Sequence, residues 1–99
     1  MIEINNLKSL ENFFSENLDT PLFAVLADLY YEKEEYDRSR KVCEIGLKKH
    51  PYSSYGNYIL AKIELLDENL IKAEKLLKKT IKNNPLHLMG IKLLFEVSK

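Results

Sequence analysis

The chain has 99 residues, with 15 basic and 15 acidic side chains and therefore no net formal charge. A chain of this length forms one small domain, which has room for a core but not for a large enclosed active site. No apolar run approaches the ~18 residues of a membrane-spanning helix, and the first residues lack the pattern of a secretory signal. The single cysteine, Cys43, allows no intramolecular disulfide. We therefore expect a cytoplasmic protein without a membrane partner.

Charge is distributed unevenly along the chain. Residues 1–36 hold two basic and eight acidic side chains, a net charge of −6, whereas residues 69–99 hold seven basic and two acidic ones, a net charge of +5. Two interpretations stay open. The two regions are solvated surfaces that happen to differ in sign, or the difference orients the chain toward another copy or a charged partner.

The first half of the chain predicts three helices. Apolar residues at helical spacing place the first near the N-terminus, with Asn5 or Asn6 as its cap; they are Leu7, Leu10, Phe13 and Phe14. Thr20 and Pro21 start the second, at about residues 21–33, because proline at the first helical position loses no needed N–H. The third occupies about residues 35–49 and ends before Pro51.

The second half predicts three more helices, which makes the fold all-α with about six helices. Ser53 or Ser54 caps a fourth helix at about residues 55–66, a fifth follows at 69–83, and a sixth comes after Pro85. Acid-first pairs at i,i+4 spacing support the third and fifth helices. These pairs are Glu34–Arg38, Asp37–Lys41, Glu68–Lys72 and Glu74–Lys78.

The sequence also repeats itself with a period of 34 residues. This shift superposes Pro51 on Pro85, Leu26 on Leu60, Ala27 on Ala61, Ser39 on Ala73, Cys43 on Leu77 and Gly56 on Gly90. A fixed period in this range is typical of stacked repeats. The period and these residues resemble the tetratricopeptide repeat, a 34-residue pair of antiparallel helices. The N-terminal segment fits with a shift of 33, which lays Leu10 on Cys43 and Phe14 on Leu47.

The resemblance implies a short right-handed α-solenoid of stacked helical hairpins in a single domain. Its parts are a flanking helix at 1–19, repeats at 20–53 and 54–87, and the first helix of an incomplete third repeat at 88–99. The family places small residues where helices touch, here Ala27, Ser39, Gly46, Ala61, Ala73 and Thr80. Glu34 and Glu68 occupy a turn position that is often glycine. Asn57 and Glu64 stand where the first repeat has Phe23 and Tyr30, so we expect the second repeat to be less tightly packed.

In this family the first helix of each repeat lines a concave groove in which peptides dock. The positions inherited from the family give a partner-binding groove of Asp28, Tyr31, Tyr55, Tyr58, Ile59, Lys62 and Leu65, continued on the last helix by Met89, Lys92, Leu93 and Glu96. Tyrosine suits recognition because it offers contact area and loses little rotamer entropy. Partial burial against neighbouring helices is the alternative role of these rings.

Nothing in the sequence predicts catalysis. The chain has no glycine-rich phosphate loop, no Gly-x-Ser-x-Gly and no Cys-x-x-Cys. Cys43 lies on the apolar stripe of its helix, and His50 and His87 lack companions at metal-ligand spacing. We expect no enzyme, cofactor or metal site. Nucleic acid is an unlikely partner, because the lysines of the fifth helix lack interleaved aromatics or arginines.

The last helix presents an unexplained apolar side, formed by Ile91, Leu94 and Phe95. Either the sequence is a fragment of a longer protein, or another chain covers this side.

The predicted function is a non-catalytic protein–protein interaction module that binds a peptide or protein in its groove. The alternative is an oligomerisation element that uses the exposed last helix, or an accessory domain of a larger protein.

Overall fold

The computed structural model describes residues 6–98, which form six α-helices and no β-strand. The helices are α1 (Leu7–Glu16), α2 (Phe23–Glu32), α3 (Tyr36–Lys49), α4 (Ser54–Leu66), α5 (Leu70–Asn83) and α6 (Leu88–Val97). The molecule measures 43 × 24 × 21 Å. The all-α class and the number of helices are confirmed. Within residues 6–98, no helix combines the length and the apolar character needed to cross a membrane.

Each helix packs on the next one along the chain. The most extensive contacts join α4 to α5 and α2 to α3, and smaller ones join α3 to α4 and α5 to α6. Helix α2 also packs on α4, whereas α1 packs on α2. Two helical hairpins, α2–α3 and α4–α5, therefore form the centre of the molecule, with α1 and α6 on opposite sides of it.

Side chains cap three of the helices at their N-termini. A cap accepts a backbone N–H that has no partner within the helix. The caps are Asn6 on the amide of Ser9 at 3.1 Å, Ser53 on Gly56 at 3.0 Å, and His87 on Gly90 at 2.9 Å. The predicted Asn6 and Ser53 caps are confirmed, and the other candidate, Asn5, lies outside the described residues.

Helix α2 begins at Phe23, two residues later than predicted. The hydroxyl of Thr20 accepts the N–H of Leu22 at 3.2 Å and holds Pro21 and Leu22 in a turn ahead of the helix. Thr20 thus precedes the start of α2 as expected. Its hydroxyl stabilises the turn before the helix, whereas the prediction made it the N-cap of the helix itself.

The two hairpins turn in the same way. Glu34 and Glu68 have φ values of 61° and 60°, in the left-handed region that favours glycine. The residue after each of them, Glu35 or Asn69, donates its backbone N–H to a carbonyl five residues earlier at 2.9 Å. The prediction that both glutamates occupy a glycine-like turn position is confirmed.

This turn also changes the predicted ion pairs. Glu74–Lys78 forms at 3.0 Å as expected, whereas Arg38 pairs with Glu35 at 3.5 Å because Glu34 is held in the turn. Lys72 pairs with the buried Glu64 at 3.1 Å and not with Glu68. Asp37 and Lys41, both described and exposed, form no ion pair.

The small residues lie where helices touch, as predicted. Those that are fully buried are Ala27, Ser39, Ala61, Ala73 and Thr80, and Gly46 is buried as well. The hydroxyl of Ser39 donates to the carbonyl of Ala27 at 2.7 Å and fastens α3 to α2. Close approach of this kind requires short side chains, because a longer one at the contact overpacks the core.

The expectation that the second hairpin is less tightly packed stays a prediction, but its two polar substitutions are accommodated in the core. Asn57 and Glu64 are buried, and both have their polar atoms satisfied. The amide of Asn57 donates to the carbonyls of Pro51 at 3.1 Å and Ser53 at 2.8 Å. Buried polar groups with partners carry little penalty, so α4 and α5 still form the most extensive helix pair.

Glu64 joins three helices although its side chain is only 1% exposed. Its carboxylate accepts from Arg40 of α3 at 2.8 Å and from Asn69 at 2.9 Å, and it pairs with Lys72 of α5 at 3.1 Å. Burial by itself raises the pKa of Glu64, but the hydrogen bonds from Arg40, Asn69 and Lys72 outweigh it and lower the pKa to about 2. The ionised carboxylate therefore stabilises the folded chain.

We predict that Glu64 controls the acid stability of the fold. Because its pKa falls from 4.5 to about 2 on folding, its contribution is complete above about pH 5 and is lost as the pH falls toward 2. Glu64→Gln should lower the free energy of unfolding at pH 7 by roughly 1–3 kcal/mol and flatten its decline between these pH values. Urea unfolding across that range measures both. The control Glu74→Gln, in an exposed pair, should change little; equal pH profiles for parent and Glu64→Gln would refute the assignment.

Candidate functional site

One surface of the molecule carries most of the predicted groove residues, and it is formed by α2 and α4. We call it the tyrosine face and define it as Asp28 and Tyr31 of α2 with Tyr55, Tyr58 and Lys62 of α4. Residues three or four positions apart share one side of a helix, which brings each set onto the same side. The packing of α2 against α4 then places the two sets next to each other.

The centre of the tyrosine face is the ammonium group of Lys62. Its Nζ lies 4.2 Å from the ring centre of Tyr31 and 5.0 Å from that of Tyr58. Both distances are within the range of cation–π attraction. Among residues 6–98, Lys62 forms no ion pair. Its positive charge is thus held by two aromatic rings from two helices and stays available to a ligand.

A second link between the helices lies beside the first. The hydroxyl of Tyr55 donates a hydrogen bond to the carboxylate of Asp28. Burial, this hydrogen bond and the charges of Asp28 and Glu32 together raise the pKa of Tyr55 well above its usual value. Burial also raises the pKa values of Tyr31 and Tyr58, with smaller contributions from nearby groups that include carboxylates. The three hydroxyls therefore stay protonated at neutral pH and remain hydrogen-bond donors.

The tyrosine face continues onto α6. The ring of Tyr58 lies 4.8 Å from that of His87, the cap of α6. Next to them is a shallow depression of about 200 Å³, lined by Tyr58, Met89, Lys92, Leu93 and Glu96. Glu96 adds a third carboxylate near the rings, after Asp28 and Glu32. The surface thus combines aromatic rings with isolated charges of both signs.

Larger depressions lie elsewhere but lack this combination. One of about 760 Å³ is at the α4–α5 turn, lined by Glu68, Asn69, Leu70, Ile71, Lys72 and Lys75. Another of about 540 Å³ lies between the end of α1 and α3. Neither has an aromatic side chain in its lining. A third depression, of about 430 Å³, is lined by Phe23, His50 and Tyr52 together with Lys49, but its lining has no carboxylate and its Phe23 side chain is fully buried. Because binding hot spots are enriched in aromatic side chains and the tyrosine face combines such rings with charges of both signs, it remains the better candidate.

The structure does not bring every predicted groove residue to the surface. Ile59 is fully buried in the core, so a partner cannot contact it. Leu65 is half-buried, and Tyr58 is 9% exposed, so it supports Lys62 more than it presents its own ring. Sequence reasoning missed Tyr36, whose ring packs edge-to-face on Tyr31 at 5.2 Å. The sequence signal that could have pointed to Tyr36 is its position directly after the turn between α2 and α3.

The predicted apolar side of α6 is also revised. Ile91 and Phe95 are 38% and 74% exposed, but Leu94 is half-buried and packs against the core. The third exposed member is Leu88, which is 75% exposed and lies three residues before Ile91 on the same side of the helix. We call Leu88, Ile91 and Phe95 the open face of α6. Leu94 points away from it because it lies about 100° around the helix from Phe95.

The cysteine and the histidines have structural roles. Cys43 is fully buried, as predicted, and burial raises its pKa to about 12. The ring of His50 stacks on Phe23, and its Nε2 lies 2.6 Å from the carbonyl oxygen of Asp19. In the part of the chain that the structure describes, no three His, Cys, Asp or Glu side chains come together as a metal site would require.

Compared with models of known protein families and with curated proteins, the sequence matches no family model and no curated protein. The physical features of the tyrosine face and of α6 are therefore what a proposal about function has to rest on. The first feature is a pair of rings that a shared ammonium group holds in place. The second is an exposed apolar side of α6.

We predict that Lys62 and Tyr31 stabilise each other measurably. A double-mutant cycle with Lys62→Met and Tyr31→Leu should give a coupling free energy of about 0.5–1 kcal/mol in urea unfolding, because methionine keeps the apolar stem but removes the charge. A matched cycle with Tyr52→Leu, at a tyrosine that is 77% exposed, should give none. Zero coupling with Tyr31 would mean that the ammonium group does not hold the face together.

Proposed function

We propose that the chain is a non-catalytic protein-binding module, built as a short right-handed stack of helical hairpins of the tetratricopeptide type. Its ligand is a peptide segment with apolar or aromatic side chains, which docks on the tyrosine face. The observation that carries the proposal is the position of Lys62 between Tyr31 and Tyr58, across two helices.

Equivalent positions in the two hairpins support the stack. Tyr30 and Glu64, one period of 34 apart, each bond to the helix before their own hairpin. Tyr30 donates to Glu11 of α1 at 2.5 Å, and Glu64 accepts from Arg40 of α3 at 2.8 Å. Together with the shared left-handed turns, these bonds favour one packing arrangement repeated along the molecule. Such an arrangement leaves the first helix of each hairpin on a common surface.

The chemistry of the tyrosine face favours a peptide. The rings of Tyr31 and Tyr55 offer flat apolar area, and the Tyr31 hydroxyl and the Lys62 ammonium group offer donors to peptide carbonyls. The links between Lys62 and the rings and between Tyr55 and Asp28 hold the side chains in place before a ligand arrives. Preorganisation of this kind lowers the entropy lost on binding.

Nucleic acid fits the surface less well. Lysine is frequent on α5, but Lys72 is paired with Glu64 and Lys78 with Glu74. The tyrosine face itself holds Asp28 as well as Lys62, and Glu32 lies near it, so a polyphosphate backbone meets repulsion as well as attraction there. Nucleic-acid surfaces present a continuous positive stripe. This difference favours a protein partner.

The open face of α6 supports a second candidate function, an oligomerisation element. Covering a fully exposed leucine, isoleucine or phenylalanine is worth roughly 1.5–3 kcal/mol for each side chain. On α6, the largely exposed Leu88 and Phe95 and the partly exposed Ile91 stand in one row. An apolar row of this kind favours contact with another protein surface, either a second copy or another part of a larger protein to which this module is an accessory.

We predict that peptides selected for binding depend on Tyr55. Peptides retrieved from a displayed random library with the parent chain should bind Tyr55→Ala about 1–2 kcal/mol more weakly, because the variant loses both the ring and the bond to Asp28. Isothermal titration calorimetry measures the affinity, and thermal melting confirms that the variant folds.

The matched control is Tyr52→Ala, which removes an exposed tyrosine outside the tyrosine face and should leave the affinity unchanged. Lys62→Ala should weaken binding as well, since it removes the ammonium group and frees both rings. Selected peptides that bind Tyr55→Ala as tightly as the parent, or a library from which no binder emerges, would contradict the proposal.

A further inference from the structure

We infer that α1 of a second copy covers the open face of α6, so that copies of this chain join head to tail. The inference deepens the second candidate function above and rests on it and on the proposed hairpin stack. Its partner surface is α1, which the sequence-based alternative of an oligomerisation element did not specify.

The open face of α6 corresponds to the side of α2 that α3 covers. Two periods of 34 lay Ile91 on Phe23 and Phe95 on Ala27. In the first hairpin, Phe23 packs against Gly46 of α3, and Ala27 accepts the hydrogen bond of Ser39 of α3. The same side of α6 is exposed to solvent along Leu88, Ile91 and Phe95. Helix α6 thus presents the surface of a first hairpin helix without the second.

Helix α1 resembles the second helix of a hairpin whose first helix is not among residues 6–98. Leu10 and Phe14 are buried toward α2, as the second helix of a hairpin is buried toward the hairpin that follows it. With the shift of 33, Phe13 falls on Gly46 and Asn6 on Ser39, the α3 residues that meet α2. Phe13 is only half-buried, and it is not part of the core cluster. Among residues 6–98, helix α1 thus presents the surface of a second hairpin helix without the first.

One contact completes both ends. Within the chain, the two pairs that form hairpins, α2 with α3 and α4 with α5, have the most extensive contacts in the molecule. A pairing of α6 with α1 of the next copy joins helices in the same order. It places the Ile91 and Phe95 side chains against Phe13 and the short side chains of Asn6 and Ser9. Phe13 stands where α3 has Gly46, so α1 lies farther from α6 than α3 lies from α2, and the Phe13 ring covers Ile91 across this wider spacing.

Charge favours this pairing over a symmetric one. Residues 1–36 carry a net charge of −6 and residues 69–99 a net charge of +5. A head-to-tail contact brings these regions together; the acidic region includes the exposed Glu16 at the end of α1 and Asp19 after it, and the basic region includes the exposed lysines of α5. A two-fold contact between two α6 helices brings two positive regions together instead, and like charges repel. A head-to-tail contact is heterologous and repeats into a ring or an open chain.

Two blocking variants of the full chain test the inference. Phe95→Glu disables the open face of α6, and Phe13→Glu disables α1; Ser9→Arg blocks the same side of α1 if Phe13→Glu fails to fold. Sedimentation equilibrium of the parent between about 5 and 200 μM should give a weight-average mass that rises above the 11.6 kDa of one chain. Each variant alone should stay at the mass of one chain. Their 1:1 mixture should form a dimer and nothing larger, since one intact α6 meets one intact α1.

Several outcomes would overturn the inference. These are a parent that stays monomeric over the whole range, a Phe13→Glu variant that still associates as the parent does, and a mixture without dimer. Association of the Phe13→Glu variant would establish a two-fold pairing of α6, and so would association that strengthens with added salt.

Ile71→Glu, which changes an exposed isoleucine on α5, is the matched control and should associate like the parent. Peptide binding at the tyrosine face is measured on the monomeric Phe95→Glu variant, so failure of one proposal is distinguishable from failure of the other.

Discussion

The fold depends on the packing of one aromatic ring against two glycines. Phe23 of α2 is fully buried between Gly46 of α3 and Gly56 of α4. A Cβ atom at Gly46 would lie 2.0 Å from the Phe23 ring, and one at Gly56 would lie 2.5 Å from it. Both helices therefore approach α2 at distances that only glycine permits. The approach of α4 to α2 in turn places Tyr55 beside Asp28 and Lys62 beside Tyr31, which creates the tyrosine face.

The second hairpin keeps the same approach with different side chains. Asn57 stands in the place of Phe23, Thr80 in the place of Gly46, and Gly90 in the place of Gly56. A Cβ atom at Gly90 would lie 2.9 Å from the Thr80 methyl group. Volume has thus moved from the first helix of the hairpin to the second, and interiors tolerate such exchanges when the total volume is kept. The larger side chain at Thr80 therefore offsets the loss of an aromatic ring at Asn57.

Much of this structure was predictable because helical spacing and prolines are local signals. The approximate helix bounds and the caps Asn6 and Ser53 follow from residues within a few positions of one another, whereas the turn at Glu34 was expected from the resemblance to a repeat family. The rotation of each helix about its axis does not follow from such local signals, and it decides that Ile59 and Leu94 face the core. The 34-residue repeat likewise did not predict contacts between residues far apart in sequence, such as the ion pair of Arg40 with Glu64. The sequence predicted which positions form the groove. That Lys62 lies between Tyr31 and Tyr58 became visible only in the three-dimensional structure.

The account makes the tyrosine face the centre of function, and a peptide titration followed by backbone amide NMR shifts on the labelled Phe95→Glu chain tests it most directly. The account predicts that a library-selected peptide shifts the amide signals around Asp28 and Tyr31 on α2 and around Tyr55 and Lys62 on α4, and that the exposed side of α5 stays unperturbed. Shifts centred on the α5 lysines, with those of α2 and α4 unchanged, would contradict it.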